Sequence, residues 1–341
     1  MMAVKETPDI RKFSLGRITA LGATSMLLCM SFFLSILTPF PLTMSSVLYG
    51  RAKTILITIL STFVFGLVLA QFFQDSSLLG LYILSGILAF IMGEIIHRDI
   101  NPVKGIVITG SIILALLGGT YFYVDSSSEK GVKALLVEEF ERIKPMLEEQ
   151  RNQLKAAGET DTFEYEAILS DPQLLAEEVL RNAPSFIAVS IFALLWINMF
   201  FALKTTRVLR ARRSTTVYSD RNLLEFKMPD QAIWGVIVGL ALYLGTDYFG
   251  VFYSDIGLNI LKVLGVFYFF HGFGLYLFFL DKMRIFGFFR TFLVITTIFM
   301  VSWGVAVIGV ADTFIDFKKF LNKKNHKIGM IITSEPSEYD S

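Results

Sequence analysis

Few residues of this sequence stand in patterns that could do chemistry. It contains no His-Glu-x-x-His, Gly-x-Ser-x-Gly or phosphate-binding loop motif, and no Cys and His cluster with metal-ligand spacing. His97, His271 and His326 fall in separate segments, and the single cysteine, Cys29, has no partner for an intramolecular disulfide. We therefore expect no bound metal and no cofactor. We also expect no enzymatic activity, because no nucleophile and base pair can be named.

Several polar residues lie within apolar segments, and their presence there needs a structural or functional explanation. Asn259 is in "GLNILK", His271 is in "FFHGFGLY" and Asp247 is in "LGTDYFG". At the centre of a bilayer an ionisable side chain costs about 2.5 to 3.5 kcal/mol on insertion scales. His271 either bonds a neighbouring helix or lines a cavity, and Asp247 is either solvated near a membrane surface or contributes to a binding site.

A second set of polar residues follows two prolines in "SILTPFPLTMSSVLYGRAKT", residues 35–54. Proline lacks the backbone donor and clashes with the preceding turn, so we expect Pro39 and Pro41 to end the first helix. Ten helical residues over 41–50 would rise only about 15 Å. This segment either crosses a thinned region of the membrane or dips into it and is shielded by neighbouring helices. Its hydroxyl groups belong to Thr43, Ser45 and Ser46.

The composition makes the membrane the main environment of the chain. Hydrophobic residues make up 54% of the sequence, 33 residues are Phe, and the mean hydropathy is +0.59. A membrane-spanning helix needs about 20 predominantly apolar residues. We predict an all-α, polytopic membrane protein with eight to nine membrane segments, the ninth being the short element at residues 41–50. The other eight are residues 19–37, 54–73, 78–97, 105–123, 184–203, 232–249, 257–280 and 288–311.

The basic residues predict the orientation of these spans. They cluster at residues 51–53, 98–104, 204–227 and 282–290, all on one side if the spans alternate. The positive-inside rule makes that side cytoplasmic. Nine crossings would place the lysine-containing tail after residue 318 on the opposite side, against the same rule, so the side of the tail stays open.

One internal segment is polar enough to lie outside the membrane. Residues 124–183 hold 14 Asp and Glu and 7 Lys and Arg. Apolar residues at helical spacing predict an amphipathic helix over about 129–157, kinked at Pro145 and closed by Gly158. Asp171 and Pro172 have the types expected at the start of a second helix. This helical insert either caps the bundle as a solvated surface or docks a partner.

The insert divides the chain into four predicted domains. They are an N-terminal membrane bundle over 1–123, the acidic helical insert over 124–183, a C-terminal membrane bundle over 184–318 and a polar tail over 319–341. In the first helix, Gly16, Ala20 and Thr24 place small side chains four residues apart on one ridge, which lets another helix approach closely. The ridge packs either within the bundle or against a partner protein.

Two resemblances to known families can be read from longer stretches. The run "SFFLSILTPFPLTMSSVLYGRAKTILITILSTFVFGLVLA" resembles the start of the S components of energy-coupling factor vitamin transporters. The C-terminal third resembles domain-of-unknown-function family 2232, the YybS-like predicted bacterial membrane proteins. Its matching positions are Pro229, Asn259, Gly272, Asp312, Asp316 and Phe317.

The first resemblance implies a function. S components have six helices, capture a vitamin-type solute from outside and dock on a coupling subunit through small residues of the first helix. Here Gly16, Ala20 and Thr24 stand where an Ala-x-x-x-Ala ridge is expected. The resemblance also implies that the break at Pro39 is a lid hinge over a solute site; otherwise the prolines permit a tight outer turn. Three further C-terminal spans and the acidic insert depart from the S-component pattern.

Two functions from different classes follow for a multi-pass protein of the bacterial cytoplasmic membrane. The first is a solute-binding transport component without its own ATPase, working with a coupling subunit and ATPases of the energy-coupling factor type. In that case Asn259, His271, Asp247, Thr43, Ser45 and Ser46 would contribute to one cavity. The second is a membrane scaffold or assembly factor that recruits envelope partners, in which these groups would be satisfied pairwise. Neither function involves nucleic acid.

Overall fold

The computed structural model describes residues 15–31, 33–72, 77–127, 130–156, 171–210 and 217–319. All of the regular secondary structure in these ranges is helical, with one 3-10 turn at Ser35–Leu37. The α-helices are α1 Leu15–Met30, α2 Pro39–Tyr49, α3 Arg51–Phe72, α4 Ser77–His97, α5 Pro102–Ser127, α6 Gly131–Ala156, α7 Pro172–Arg210, α8 Asp220–Leu224, α9 Ala232–Leu244, α10 Thr246–Phe249, α11 Val251–Lys282, α12 Gly287–Met300 and α13 Ser302–Ile315.

Five of these helices, α3, α4, α5, α7 and α11, are long and apolar enough to cross a membrane. The pair α12 and α13 passes the same test jointly, but the pair is bent by 93°. The described residues therefore provide five spans, or six if the bent pair is one span. The prediction of eight to nine segments is not confirmed, because α1, α2 and α9 have only 16, 11 and 13 residues and would rise about 16 to 24 Å.

The surface of the helical bundle fits a lipid environment. Within the apolar window of α3, only 22% of the residues are buried inside the protein. Leu56, Ile59, Phe63 and Leu67 on this helix are each more than half exposed. A soluble protein rarely exposes a continuous apolar surface of this kind, whereas a membrane helix presents it to lipid tails.

The first helix ends earlier than the sequence suggests. The prediction that Pro39 and Pro41 end it was wrong: α1 ends at Met30, and Pro39 is the first residue of α2. Proline is tolerated in the first turn of a helix because its missing N–H would have no intrahelical acceptor there. Much of α2 is buried, from Pro39 to Ser46, and it packs against α1, α3 and α4. This burial favours the shielded element over an exposed crossing.

Two predicted spans are interrupted. The span predicted over residues 232–249 is divided at Gly245 into α9 and the short α10. The span predicted over residues 288–311 is divided at Val301, where the 93° bend separates α12 from α13. Val301 marks the break without any proline nearby, so the usual sequence signal for a broken helix is missing.

The chain forms two compact units. The first comprises Met1–Val107, Phe192–Trp234 and Leu264–Ser341, and the second comprises Ile108–Ile191 and Gly235–Val263. In the first unit, Cys29, Leu42, Phe65 and Tyr82 belong to one buried cluster. Elsewhere in that unit, Trp196 stacks on Phe270 with ring centroids 4.1 Å apart and ring planes 4° from parallel.

The second unit contains the acidic segment. Its first predicted helix is present as α6, with Pro145 inside it, whereas the predicted closing residue Gly158 lies outside the described residues. The predicted helix start at Asp171 is confirmed, because its Oδ1 accepts hydrogen bonds from the backbone N–H groups of Gln173 and Leu174 at 2.9 and 3.2 Å. The Nζ of Lys133 lies 2.5 Å from Oε1 of Glu177 and ties α6 to α7.

Two of the predicted domain limits fall inside helices. Residues 123 and 124 both lie within α5, and residues 183 and 184 both lie within α7. α7 therefore runs without interruption from the polar insert into an apolar segment. The division into four domains stays a prediction.

Candidate functional site

A buried pair of ionisable side chains in the first unit is the strongest candidate for a functional site. Nε2 of His271 on α11 lies 2.9 Å from Oδ2 of Asp312 on α13. Each side chain is only 4% exposed. Ionisable side chains buried in a membrane protein are rare and are associated with proton transfer, ion pathways or ligand binding.

Two glycines let the helices that carry this pair approach closely. A methyl group on Gly272 would overlap the carbonyl oxygen of Val305, and one on Gly309 would overlap the carbonyl oxygen of Tyr268. The backbones of α11 and α13 are thus in direct contact beside the pair. Small residues commonly permit such contacts between membrane helices.

Asp312 also holds the end of its own helix. Its Oδ1 accepts a hydrogen bond from the backbone N–H of Phe317 at 2.7 Å, and its carbonyl oxygen accepts one from the backbone N–H of Asp316 at 3.0 Å. Asp316 has a φ of 47°, in the left-handed region that commonly follows a helix end. One carboxylate therefore joins α11, α13 and the segment after α13.

The second ring nitrogen of His271, Nδ1, has a different environment from Nε2. Nδ1 is buried and has no hydrogen-bond partner among the described residues. Besides Asp312, Lys227 and Lys318 are near enough to act electrostatically on the ring. Lys227 lies 3.9 Å from Asp316, and Lys318 lies over the ring of Phe278. One ring nitrogen is thus bonded to Asp312, and the other keeps a lone pair or a proton without a partner in the described part of the chain.

Asn259, predicted as a solute-binding residue, is engaged by α7 in the second unit. Its Oδ1 accepts a hydrogen bond from the backbone N–H of Ser185 at 3.1 Å. Its Nδ2 donates to the carbonyl oxygens of Arg181 at 3.0 Å and Asp255 at 2.9 Å. Both polar atoms of the amide are therefore occupied by backbone groups.

The hydroxyl residues of α2 are also buried and engaged. Thr43 donates to the carbonyl oxygen of Pro39 at 2.9 Å, and Ser45 accepts from the hydroxyl of Thr54 at 3.1 Å. Ser46 lies against His97, whose Nε2 is 3.0 Å from the carbonyl oxygen of Ser46. These contacts link α2 to α3 and α4.

The remaining predicted residues are exposed. Asp247 lies on α10 with its side chain exposed. On α1, the ridge of Gly16, Ala20 and Thr24 is exposed as well, while Ile18 and Gly22 face the bundle. The structure thus places α1 with the predicted docking ridge pointing away from the described part of its own unit.

Sequence reasoning identified His271 but not Asp312 as a site residue. Asp312 appeared only as a matching position in the family resemblance. Its position in the otherwise apolar stretch "GVAVIGVADTFI" was the available signal, because a carboxylate in an apolar helix needs a partner. The sequence could not show that His271 was that partner.

Comparison with known proteins identifies one family. The model of a family described as "Predicted membrane protein (DUF2232)" matches residues 18–313. No curated protein and no solved structure matches the chain. The match agrees with the second resemblance noted in the sequence, and the likeness to S components gains no support from it.

Proposed function

The chain belongs to this family of predicted membrane proteins, and from that premise we propose that it is a scaffold or assembly factor of the bacterial cytoplasmic membrane. The observation that carries the proposal is the engagement of the polar candidates. Asn259, Thr43 and Ser45 each bond to protein groups of their own unit. Side chains that bind a solute need free donors and acceptors.

The exposed ridge of α1 is the surface that we propose for a partner helix. Gly16, Ala20 and Thr24 present small side chains, and the Thr24 hydroxyl is bonded within the helix to the carbonyl oxygen of Ala20 at 2.8 Å. Such a surface allows close packing of another membrane helix. We also propose that the chain has no enzymatic activity of its own, since its sequence contains no catalytic motif.

A photo-cross-linking residue at Ala20 tests this function in native membranes. The matched control position is Ile59 on α3, which is 64% exposed on an apolar helix. We expect a specific cross-linked protein with the probe at Ala20 and none with the probe at Ile59. Equal labelling at both positions, or none at Ala20, would contradict the proposal.

A solute-binding transport component is the second candidate. It is favoured by the buried pair of His271 and Asp312, because transporters use such groups for coupling ions. The same cross-linking experiment separates the two functions. A coupling subunit recovered from Ala20 together with ATPases of the energy-coupling factor type would support transport of a small solute, whereas recovery of envelope assembly proteins alone would support the scaffold.

A further inference from the structure

The charge of the buried pair depends on how many protons it carries. With His271 neutral and Asp312 ionised, the pair is an anion enclosed by protein, and a buried charge without compensation is strongly unfavourable. One added proton makes the pair an imidazolium beside a carboxylate, which has no net charge. Burial of the ring opposes this added proton, whereas the Asp312 carboxylate 2.9 Å away favours it.

The open nitrogen of His271 is where that proton would bind. Nε2 is already 2.9 Å from Asp312, while Nδ1 is buried and meets no hydrogen-bond partner from the residues that the structure describes. We propose that His271 and Asp312 form a proton-binding site, in which the proton is taken up at Nδ1 of His271 and Asp312 supplies the compensating charge. The scaffold function is independent of this site, since either can hold without the other.

The other titratable and charged groups near the pair come from three elements. Tyr268 lies on α11, one turn before His271, and its buried hydroxyl faces Thr313. The segment after α8 provides Lys227 and Asp230, and the segment after α13 provides Asp316 and Lys318.

These lysines have interactions of their own. Lys227 is 3.9 Å from Asp316, and Lys318 lies 6.0 Å from the centroid of the Phe278 ring. Lys227 thus has a carboxylate of its own to neutralise, and in the described part of the chain neither lysine forms a salt bridge with Asp312. The proton on His271 is therefore the cation in direct contact with this carboxylate.

Nitrogen NMR of the full chain in phospholipid nanodiscs tests the site directly. The sequence has three histidines, His97, His271 and His326, so ¹⁵N-histidine labelling gives few signals, and single His→Gln variants assign them. A titration from about pH 5 to about pH 9 covers the range in which imidazoles change protonation. We expect His271 to take up its second proton within this range.

The variant Asp312→Asn provides the decisive comparison. Asparagine keeps an oxygen that can accept from Phe317 N–H but removes the negative charge. We expect the affinity of His271 for its second proton to fall about tenfold or more, which is a shift of about one pH unit in the midpoint. Glu94→Gln is the matched control, because Glu94 pairs with Arg51 and Arg98 on other parts of the unit; it should leave the His271 midpoint unchanged.

Two results would overturn the proposal: no second protonation of His271 in the natural chain, or the same midpoint with and without the Asp312 carboxylate. If Asp312→Asn does not fold, the natural chain still decides the matter. With ¹³C-labelled aspartate as well, the carboxyl shift of Asp312 should change at the same pH as the His271 nitrogens. Independent changes at different pH values would contradict a shared site.

Discussion

The side-chain amide of Asn259 bonds to two backbone groups of α7, the N–H of Ser185 and the carbonyl oxygen of Arg181. In a regular helix these two groups would bond to each other. Here the N–H lies 3.1 Å from Asn259 Oδ1, and the carbonyl oxygen lies 3.0 Å from Asn259 Nδ2. This contact lies directly beside Pro184, which is inside α7 and has no N–H to donate. Asn259 on α11 thus bonds to both backbone groups of one turn of α7.

We expect Asn259→Leu to destabilise the second unit. The substitution removes the acceptor of the Ser185 N–H and the donor to the Arg181 carbonyl oxygen, and each lost hydrogen bond contributes about 0.5 to 1.5 kcal/mol. Unfolding followed by circular dichroism in detergent should show a loss of about 1 to 3 kcal/mol. Asn152→Leu on the exposed face of α6 is the matched control and should change stability little. An equal effect of both variants would contradict a stabilising role for these hydrogen bonds.

The contact of α11 with α13 predicts that Gly272 and Gly309 do not tolerate alanine. A methyl group at either position meets a backbone carbonyl oxygen of the other helix, so the helices must separate. We expect each variant to lose about 1 to 3 kcal/mol, the usual cost of overpacking. The His271 signals should also change, because the distance to Asp312 increases.

Gly265→Ala is the control for these variants, since it lies on the same helix. Apart from its chain neighbours and the backbone of its own helix, no described atom lies within 4 Å of the position its methyl group would occupy. Alanine favours helix over glycine by about 1 kcal/mol, so this variant should be neutral or stabilising. Destabilisation by Gly265→Ala equal to that of Gly272→Ala would show that glycine flexibility, rather than close packing, is what the helix requires.

Local signals predicted single helices well. The spans expected at residues 54–73 and 78–97 are present as Arg51–Phe72 and Ser77–His97, because apolar length and flanking basic residues are encoded in each segment. The start of α7 was predictable for the same reason, since Asp and Pro act through the adjacent backbone. The ends of α1 at Met30 and of α12 at Met300 were not, because neither has a proline or glycine at the break.

Pairing between distant segments could not be predicted from one sequence. His271 and Asp312 are 41 residues apart, and Asn259 is 74 residues from Ser185. Periodicity places a residue on a helix face but does not specify which helix lies opposite. The sequence therefore indicated that Asn259 and His271 needed partners, and only the packing of the helices showed which residues those partners are.

The N-terminal cap of α7 gives a prediction that separates capping from charge. Asp171→Ala removes the acceptor for the Gln173 and Leu174 N–H groups and should cost about 1 kcal/mol. Asp171→Asn should behave nearly like the natural chain, because asparagine caps helices as well as aspartate does. Hydrogen exchange at residues 173 and 174 should be faster in the alanine variant alone. Equal acceleration in both variants would mean that the charge, not the cap, stabilises this end.

The buried contact of Tyr82 with Ser61 provides a test of the first unit. The Tyr82 hydroxyl donates to Ser61 Oγ at 2.8 Å between α4 and α3, and Tyr82 is fully buried. Tyr82→Phe and Ser61→Ala each remove one partner and should each lower the free energy of unfolding by about 1 kcal/mol or more, while the double variant should lose clearly less than the sum.

Tyr248→Phe on α10, where the side chain is 91% exposed, is the control and should change stability little. Unfolding in detergent measures these losses. If the losses of the two single variants simply add in the double variant, the two side chains do not interact. The packing of α3 against α4 would then rest on its apolar contacts alone.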